Sequence, residues 1–275
     1  MDTLVWFGAQ VLLAAAGVAL APALARRPRP EWATACVLAF AAMLAWPLMR
    51  FFPGAAIGVL GAPTVACLEL TGLAIPAALL FSVAGAQLPR ASDRRALRLL
   101  LVVCAVYFLK AGWWMVAPVV GIGGVPDLGP TRFERGVCRQ TTGYTCVASS
   151  LVTALRAHGI DAQESEMARL SRTQVGGGAT DSRALWALQE KLAGTGLAAR
   201  YAALDRAGLV AVPKPCLVQL NWGFFTSHMV PVLAADEWHV TIGDPLAGRR
   251  TVSWETFLRE WKGQAIVIDA APAGA

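Results

Sequence analysis

A cysteine stands in order with three polar residues that together could cleave an amide or ester bond. Gln140 precedes Cys146 by six residues, His228 heads an apolar run farther on, and Asp244 comes just before Pro245. A thiol is a strong nucleophile only as the thiolate, so it needs a base and a positive environment. The oxyanion that its attack creates needs fixed hydrogen-bond donors. These four side-chain types supply those parts, and the sequence predicts a thiol hydrolase.

The nucleophile is predicted to begin a helix. From Val147 to His158 the apolar residues recur at helical spacing, and Gly159 is a suitable terminator. The dipole and the free N–H groups of a helix N-terminus favour a thiolate at Cys146. The backbone N–H of Cys146 is one expected oxyanion donor, and the side chain of Gln140 is the other.

The elements that must position these residues change character along the chain. Two more helices are predicted, at Glu164–Ser171 and Asp181–Gly194, and the glycines at 176–178 between them either contact substrate or merely connect. A strand pattern then carries His228 and leads to Asp244. The later predicted elements are strands at 198–202, 216–220, 228–234, 239–242 and 265–269, and a helix at 254–261. Helices followed by an antiparallel sheet predict an α+β domain over residues 140–271.

Several local motifs accompany the four residues in a fixed order. They are Gly178-Ala179-Thr180 before a helix, Asp244-Pro245 sixteen residues after His228, and Trp261-Lys262-Gly263 before a last strand. With them, residues 134–271 resemble the bacteriocin-processing peptidases, papain-like cysteine peptidases that cut leader peptides after a double glycine, usually as a cytosolic domain fused to an ABC exporter. The resemblance implies that Cys146 is the nucleophile, His228 the base, Asp244 its orienting partner and Gln140 the oxyanion-hole donor.

Two departures from that family bear on function. Val147 stands where the family usually has glycine, and a β-branched side chain there is expected to narrow the substrate cleft. The chain holds no Gly-x-x-x-x-Gly-Lys-Ser/Thr motif, so it lacks a nucleotide-binding module of that type and an exporter would be a separate partner. The peptidase-like domain also follows the apolar half of the chain.

The first half of the chain has the composition of membrane spans. Hydrophobic residues make up 56% of the 275 and charged residues 15%, with a mean hydropathy of +0.52. A bilayer core needs about 20 apolar residues per helix. Residues 1–125 therefore predict an all-α bundle of about four transmembrane helices, followed by a linker at 126–139. The predicted spans are 3–24, 32–52, 64–88 and 99–121, and the glycine-rich stretch 53–63 is predicted to be a re-entrant or surface segment.

Arginine distribution predicts how the chain sits in the membrane. The loops after the first and third predicted spans hold seven arginines, and the opposite side holds four. This bias predicts a multi-pass protein of the cell (inner) membrane with its peptidase-like domain on the extracytoplasmic side. The net charge of +6 follows this loop pattern and does not indicate nucleic-acid binding. Within the spans, Glu69 and Lys110 either pair with each other or face the headgroups separately.

The sequence thus favours a membrane-anchored cysteine peptidase that acts on a peptide or leader peptide. Two alternatives stay open: an inactive peptidase-like module that binds peptides for an exporter, and a thiol amidase or acyltransferase on the same fold. No cofactor is expected, and no metal, because Cys-x-x-Cys spacing is absent. On the oxidising side of the membrane, Cys138 and Cys216 are a candidate disulfide.

Overall fold

The chain divides into two compact units. The computed structural model describes residues 3–28, 33–41, 52–71, 127–223 and 227–271, with a few single positions up to residue 102. One unit comprises residues 1–52 and 67–124, and the other comprises residues 53–66 and 125–275. The candidate site lies in the second unit.

The first unit contains a long apolar helix, α1 (Thr3–Ala25), over the range of the first predicted span. Within the described residues, no helix combines the length and apolar character needed to cross a bilayer. The predicted transmembrane bundle therefore gains no support from the structure, and much of the other three predicted spans lies outside the described residues. Lys110 also lies outside them, so its pairing with Glu69 stays untested.

The second unit is built on one antiparallel sheet of six strands. Their order across the sheet is β3-β8-β4-β5-β6-β7. The strands are β3 (Leu197–Ala203), β4 (Cys216–Asn221), β5 (Ser227–Ala235), β6 (His239–Asp244), β7 (Gly248–Ser253) and β8 (Trp261–Ala270). A separate hairpin precedes them, formed by β1 (Arg132–Glu134) and β2 (Val137–Arg139).

Helices cover both faces of this sheet. On one face are α4 (Cys146–Ala157), α5 (Glu164–Leu170) and α6 (Asp181–Leu192), and on the other are α7 (Arg206–Ala211) and α8 (Trp254–Glu260). Alternate residues of a strand point to opposite faces, and the central strands accordingly serve two buried clusters. Leu217, Met229 and Ile266 pack with α4–α6, whereas Val218, Val230 and Val267 pack with α7 and α8. The predicted α+β class with an antiparallel sheet is confirmed.

A segment from the apolar half of the chain belongs to this unit. This segment contains helix α2 (Pro53–Leu60), which buries Pro53 and Ile57, and the first five residues of α3 (Ala62–Thr71). Ile57 joins the cluster on the α4–α6 face, and a side chain added at Gly54 would meet the Tyr201 ring at 3.1 Å. This stretch was expected to be re-entrant or at the surface. Helix α2 packs on the domain and leaves Val59 exposed, so the re-entrant interpretation gains no support. Composition alone does not separate the two, because an apolar helix that packs on a domain resembles a short membrane segment.

Several other local features differ from the sequence-based expectations. Residues 132–139, predicted as linker, form the β1–β2 hairpin, and two elements, α7 and β7, had no predicted counterpart. These elements are short or carry exposed side chains (β7 is exposed at most positions), so they lack a hydrophobic period.

Trp261 begins β8, although the apolar spacing predicts that it ends a helix. Cys138 and Cys216 are free, buried thiols in opposite clusters, so the disulfide hypothesis is wrong.

Candidate active site

The antiparallel pairing of β5 and β6 brings the predicted base and its partner to one end of the sheet. His228 is the second residue of β5, and Asp244 is the last residue of β6. Since paired antiparallel strands run in opposite directions, the start of β5 lies beside the end of β6. Helix α4, which carries the predicted nucleophile, is joined to the same strand, because the Ser150 hydroxyl in its second turn donates to the Met229 carbonyl over 2.7 Å.

Cys146 is the first residue of α4, as predicted, and is partly exposed. Its N-cap residue, Thr145, makes no side-chain hydrogen bond to the helix. The first N–H groups of α4 are therefore not capped by that hydroxyl. The backbone N–H groups of Val147 and Met229 both stabilise the Cys146 thiolate.

His228 lies between Cys146 and the carboxylate of Asp244. Its Nε2 atom is 2.9 Å from Asp244 Oδ1, and both side chains are only 3% exposed. His228 also forms a hydrogen bond with Cys146, and with Nε2 engaged by Asp244 the other ring nitrogen, Nδ1, is left for the sulfur. The structure thus brings three of the four predicted residues into one connected chain.

Hydrogen bonds and charge set the protonation of this chain of groups. Burial opposes a thiolate, but the hydrogen bond and charge of His228, together with the backbone N–H groups of Met229 and Val147, outweigh burial and lower the pKa of Cys146. Burial likewise opposes an imidazolium, yet Asp244 and Cys146 raise the pKa of His228 to about 9. The pKa of Asp244 falls to about 2, against its burial, because His228 and two backbone N–H groups donate to it. A thiolate and an imidazolium are the favoured pair.

The Asp244 carboxylate is held on both oxygens. Oδ1 accepts the backbone N–H of Leu246 over 2.8 Å and, more weakly, that of Ala247 over 3.3 Å. Oδ2 pairs with Arg250 over 3.0 Å. Sequence reasoning missed Arg250, and its only signal is a basic residue six positions after the aspartate. This arrangement fixes the orientation of the carboxylate towards His228.

Gln140 lies in the loop that leads to the nucleophile. Its backbone N–H donates to the Pro245 carbonyl over 3.1 Å, which joins this loop to the turn after Asp244. Its side-chain Nε2 donates to the Thr142 carbonyl over 2.6 Å, and its Oε1 is buried without a hydrogen-bond donor among the described residues. The second N–H of Nε2 is left for a ligand. Its place in the oxyanion hole stays a prediction.

An aromatic ring that sequence reasoning missed covers His228. Trp222 stacks on His228 with ring centroids 4.3 Å apart and an angle of 27° between the planes. The indole N–H donates to Glu260 over 3.0 Å, which orients the ring. Trp222 screens one face of the imidazole from water, so it strengthens the polar contacts of His228. A tryptophan six residues before the histidine was the only sequence signal.

Two uncertain features of the sequence are placed by the structure. Gly178 is buried, has a φ of +67°, and would bring an added Cβ to 3.3 Å from the carbonyl oxygen of Tyr144. The glycine loop at 176–178 therefore packs beside the loop that leads to Cys146, which favours the substrate-contacting interpretation.

Val147 is 3% exposed and packs into the α4–α6 cluster, so the expectation that its side chain narrows the cleft is wrong.

The amino-acid sequence of this chain is similar to those of other proteins. Two uncharacterised proteins match over 133 residues, which is 48% of this chain and 87% of each relative. One is from Methanothermobacter thermautotrophicus, at 30% identity, and the other is from Methanothermobacter marburgensis, at 27%.

Solved structures with a similar fold include peptidase domains of transporters. The peptidase domain of Streptococcus ComA, described as a bifunctional ABC transporter of a quorum-sensing pathway, matches at 22% identity and a TM-score of 0.43, over 48% of this chain and 96% of that one. A double-glycine-motif protease from an AMS/PCAT transporter, solved with its leader peptide, matches at 21% and 0.43, over 52% and 95%. The sequence model of the Peptidase C39 family matches residues 134–273. The chain belongs to the Peptidase C39 family.

Proposed function

We propose that this chain is a cysteine peptidase that cleaves a peptide bond with Cys146, His228, Asp244 and Gln140. The observation that carries the proposal is the position of His228. It contacts the thiol with one ring nitrogen and, over 2.9 Å, a buried carboxylate with the other. A histidine held in this way takes the thiol proton and retains it as an imidazolium.

The first half of the reaction forms an acyl-enzyme. The Cys146 thiolate attacks the carbonyl carbon, a C–S bond forms, and the π electron pair moves to the carbonyl oxygen. The backbone N–H of Cys146 and the Nε2 of Gln140 are the proposed donors to that oxyanion. When the oxyanion collapses, the C–N bond breaks and His228 gives its proton to the leaving amine.

The second half releases the acyl group. Water attacks the thioester carbonyl while His228 accepts one of the water protons, and collapse expels the Cys146 thiolate. The buried Asp244 keeps the imidazole in the required orientation through both halves and stabilises its charged form.

The proposed substrate is a peptide, and a leader peptide is its most specific form. One structural neighbour is described with a leader peptide and a double-glycine motif, and another as part of an ABC transporter. We therefore include a separate exporter as a proposed partner. Membrane anchoring completes the proposal, and it rests on the hydropathy of the first half of the chain.

The deciding experiment incubates the full chain with a leader-type peptide that ends in two glycines and with an unbiased peptide library, and identifies the products by mass spectrometry. We expect cleavage by the wild type and a loss of at least about 10⁴-fold in Cys146→Ala. Cys138→Ala is the matched control, because Cys138 is a buried thiol of the core and burial raises its pKa to about 12.

Other outcomes would support the alternatives. Peptide binding that is equal in the wild type and in Cys146→Ala, with no product from either, would favour a peptide-binding module. Transfer of the acyl group to an added amine in preference to water would favour an acyltransferase. Either result would overturn the peptidase proposal.

A further inference from the structure

Glu164 is a buried carboxylate that the proposed mechanism does not use. It is the first residue of α5, and its exposed fraction is 0%. Burial of a carboxylate in a protein interior is costly unless hydrogen bonds compensate for the lost hydration. The donors around Glu164 therefore indicate what the buried group holds in place.

Both oxygens of Glu164 contact one residue. The backbone N–H of Thr141 donates to Oε1 over 2.9 Å, and the Thr141 hydroxyl donates to Oε2 over 2.6 Å. The backbone N–H of Glu164 donates in turn to the Thr131 hydroxyl over 2.9 Å. A carboxylate accepts on both oxygens, so it matches these two donors, whereas an amide would turn an NH₂ group towards one of them.

The residue held in this way follows Gln140 directly. The loop from Gln140 to Thr145, between β2 and α4, contains no helix or strand. On one side, the backbone of Gln140 is bonded to the Pro245 carbonyl, and on the other, Glu164 holds Thr141. The backbone from which the Gln140 amide projects is therefore fixed from both directions.

We propose that Glu164 is a positioning residue of the peptidase reaction, which holds Thr141 so that Gln140 presents its amide to the oxyanion. The inference rests on the proposed function, since the position of Gln140 matters only when an oxyanion forms at Cys146. A donor that is fixed before the reaction needs no rearrangement as the negative charge develops.

The test separates oxyanion stabilisation from the reactivity of the thiol. N-acetylglycinal is the probe: the Cys146 thiolate adds to its aldehyde carbon, the carbonyl electron pair moves to oxygen, and the proton stays on His228. Its Kd is measured by protection of Cys146 against iodoacetamide in the full chain. Iodoacetamide alkylation itself forms no oxyanion, so its rate reports only the thiolate.

We expect Glu164→Gln to weaken aldehyde binding about 10-fold or more while the alkylation rate stays at the wild-type value. Glu166→Gln is the matched control, because this neighbour on α5 pairs with Lys191 over 2.6 Å and does not contact the loop residue Thr141. It should bind the aldehyde as the wild type does.

A second pair of variants covers the case in which Glu164→Gln fails to fold. Thr141 is exposed, so Thr141→Ala removes the hydroxyl donor without a core defect, and Thr141→Ser retains it. We expect weaker aldehyde binding in Thr141→Ala and recovery in Thr141→Ser. Unchanged aldehyde affinity in Glu164→Gln and Thr141→Ala would overturn the inference, as would an equal loss of alkylation and aldehyde binding, which indicates a purely structural role.

The same data keep the two proposals apart. A wild-type protein that binds the aldehyde and cleaves no peptide would overturn the proposed function and leave the Glu164 comparison intact. A wild-type protein that does not bind the aldehyde would overturn both.

Discussion

At the scale of single residues, each charged group of the site stabilises the next one. The Asp244 carboxylate stabilises the His228 imidazolium, and the imidazolium stabilises the Cys146 thiolate. The thiolate–imidazolium pair forms only at pH values between the lowered pKa of Cys146 and the pKa of His228, which is about 9. Below that window the sulfur is protonated, and above it the imidazolium is lost.

We predict that Asp244→Asn narrows this pH window from both sides. Without the carboxylate charge, the pKa of His228 falls and the alkaline limb of peptide cleavage moves down by about 1–2 pH units. The weaker imidazolium stabilises the thiolate less, so the acid limb of Cys146 alkylation moves up. Both limbs are measured on the full chain, by product formation and by iodoacetamide labelling against pH.

Asp236→Asn is the matched control for that substitution. This substitution makes the same chemical change in the turn between β5 and β6. There the Asp236 carboxylate accepts hydrogen bonds from the backbone N–H groups of Trp238 and His239. Its variant should keep both limbs at the wild-type positions. Limbs that stay in place in Asp244→Asn would show that this carboxylate does not control the histidine.

At the scale of elements, a helix or strand can be predicted from the sequence where its apolar residues recur at a regular spacing. The strands that alternate between two buried clusters, such as β4, were located within a few residues, and α4 was placed with Cys146 at its start. Strands β1 and β7 are mostly exposed, and β2 is only three residues long although it buries Val137 and Cys138, so the sequence pattern does not predict them. The structure joins Cys146, His228 and Asp244, while Trp222 and Arg250 reach them through folding contacts that no spacing reveals.

The packing of α2 gives a prediction at this scale. Because a Cβ at Gly54 would meet the Tyr201 ring at 3.1 Å, we expect Gly54→Val to push α2 away from β3. Overpacking of this kind costs about 1–3 kcal/mol, which should appear as a lower midpoint of thermal unfolding of the full chain. The rate of Cys146 alkylation should not change, since the site lies on other elements.

Gly58 supplies the control in the same helix. No atom lies within 4 Å of a Cβ at Gly58, so Gly58→Val alters helix propensity without the steric conflict. Its unfolding midpoint should stay at or slightly above that of the wild type, because valine is a better helix former than glycine. Equal losses in the two variants would contradict the packing of α2 on Tyr201.

At the scale of the whole molecule, the two units differ in how far their apolar side chains are buried. The second unit buries them in two clusters on either face of one sheet. Helix α1 leaves large apolar side chains exposed, among them Val11 at 48%, Leu12 at 71% and Leu20 at 56%. Exposure of such surface to water costs about 25 cal/mol per Å². Side chains of this kind are stable when another apolar phase or surface covers them.

We therefore predict that lipid covers α1 and that the full chain sediments with membranes. The membrane pellet is washed with high salt, then with alkaline carbonate, and finally with detergent, and the chain is followed by immunoblotting. Salt removes proteins held by charge, and carbonate removes peripheral ones, so a chain held by apolar contact with acyl chains should leave the pellet only in detergent.

The double variant Leu12→Asp/Leu20→Asp changes two exposed side chains of α1 and should increase release by carbonate, whereas Asp236→Asn in the second unit should not. Release of the wild type by salt alone would show that charge holds the chain to the membrane, which would contradict lipid coverage of α1 and remove apolar anchoring from the proposed function, while the chemistry at Cys146 would be unaffected.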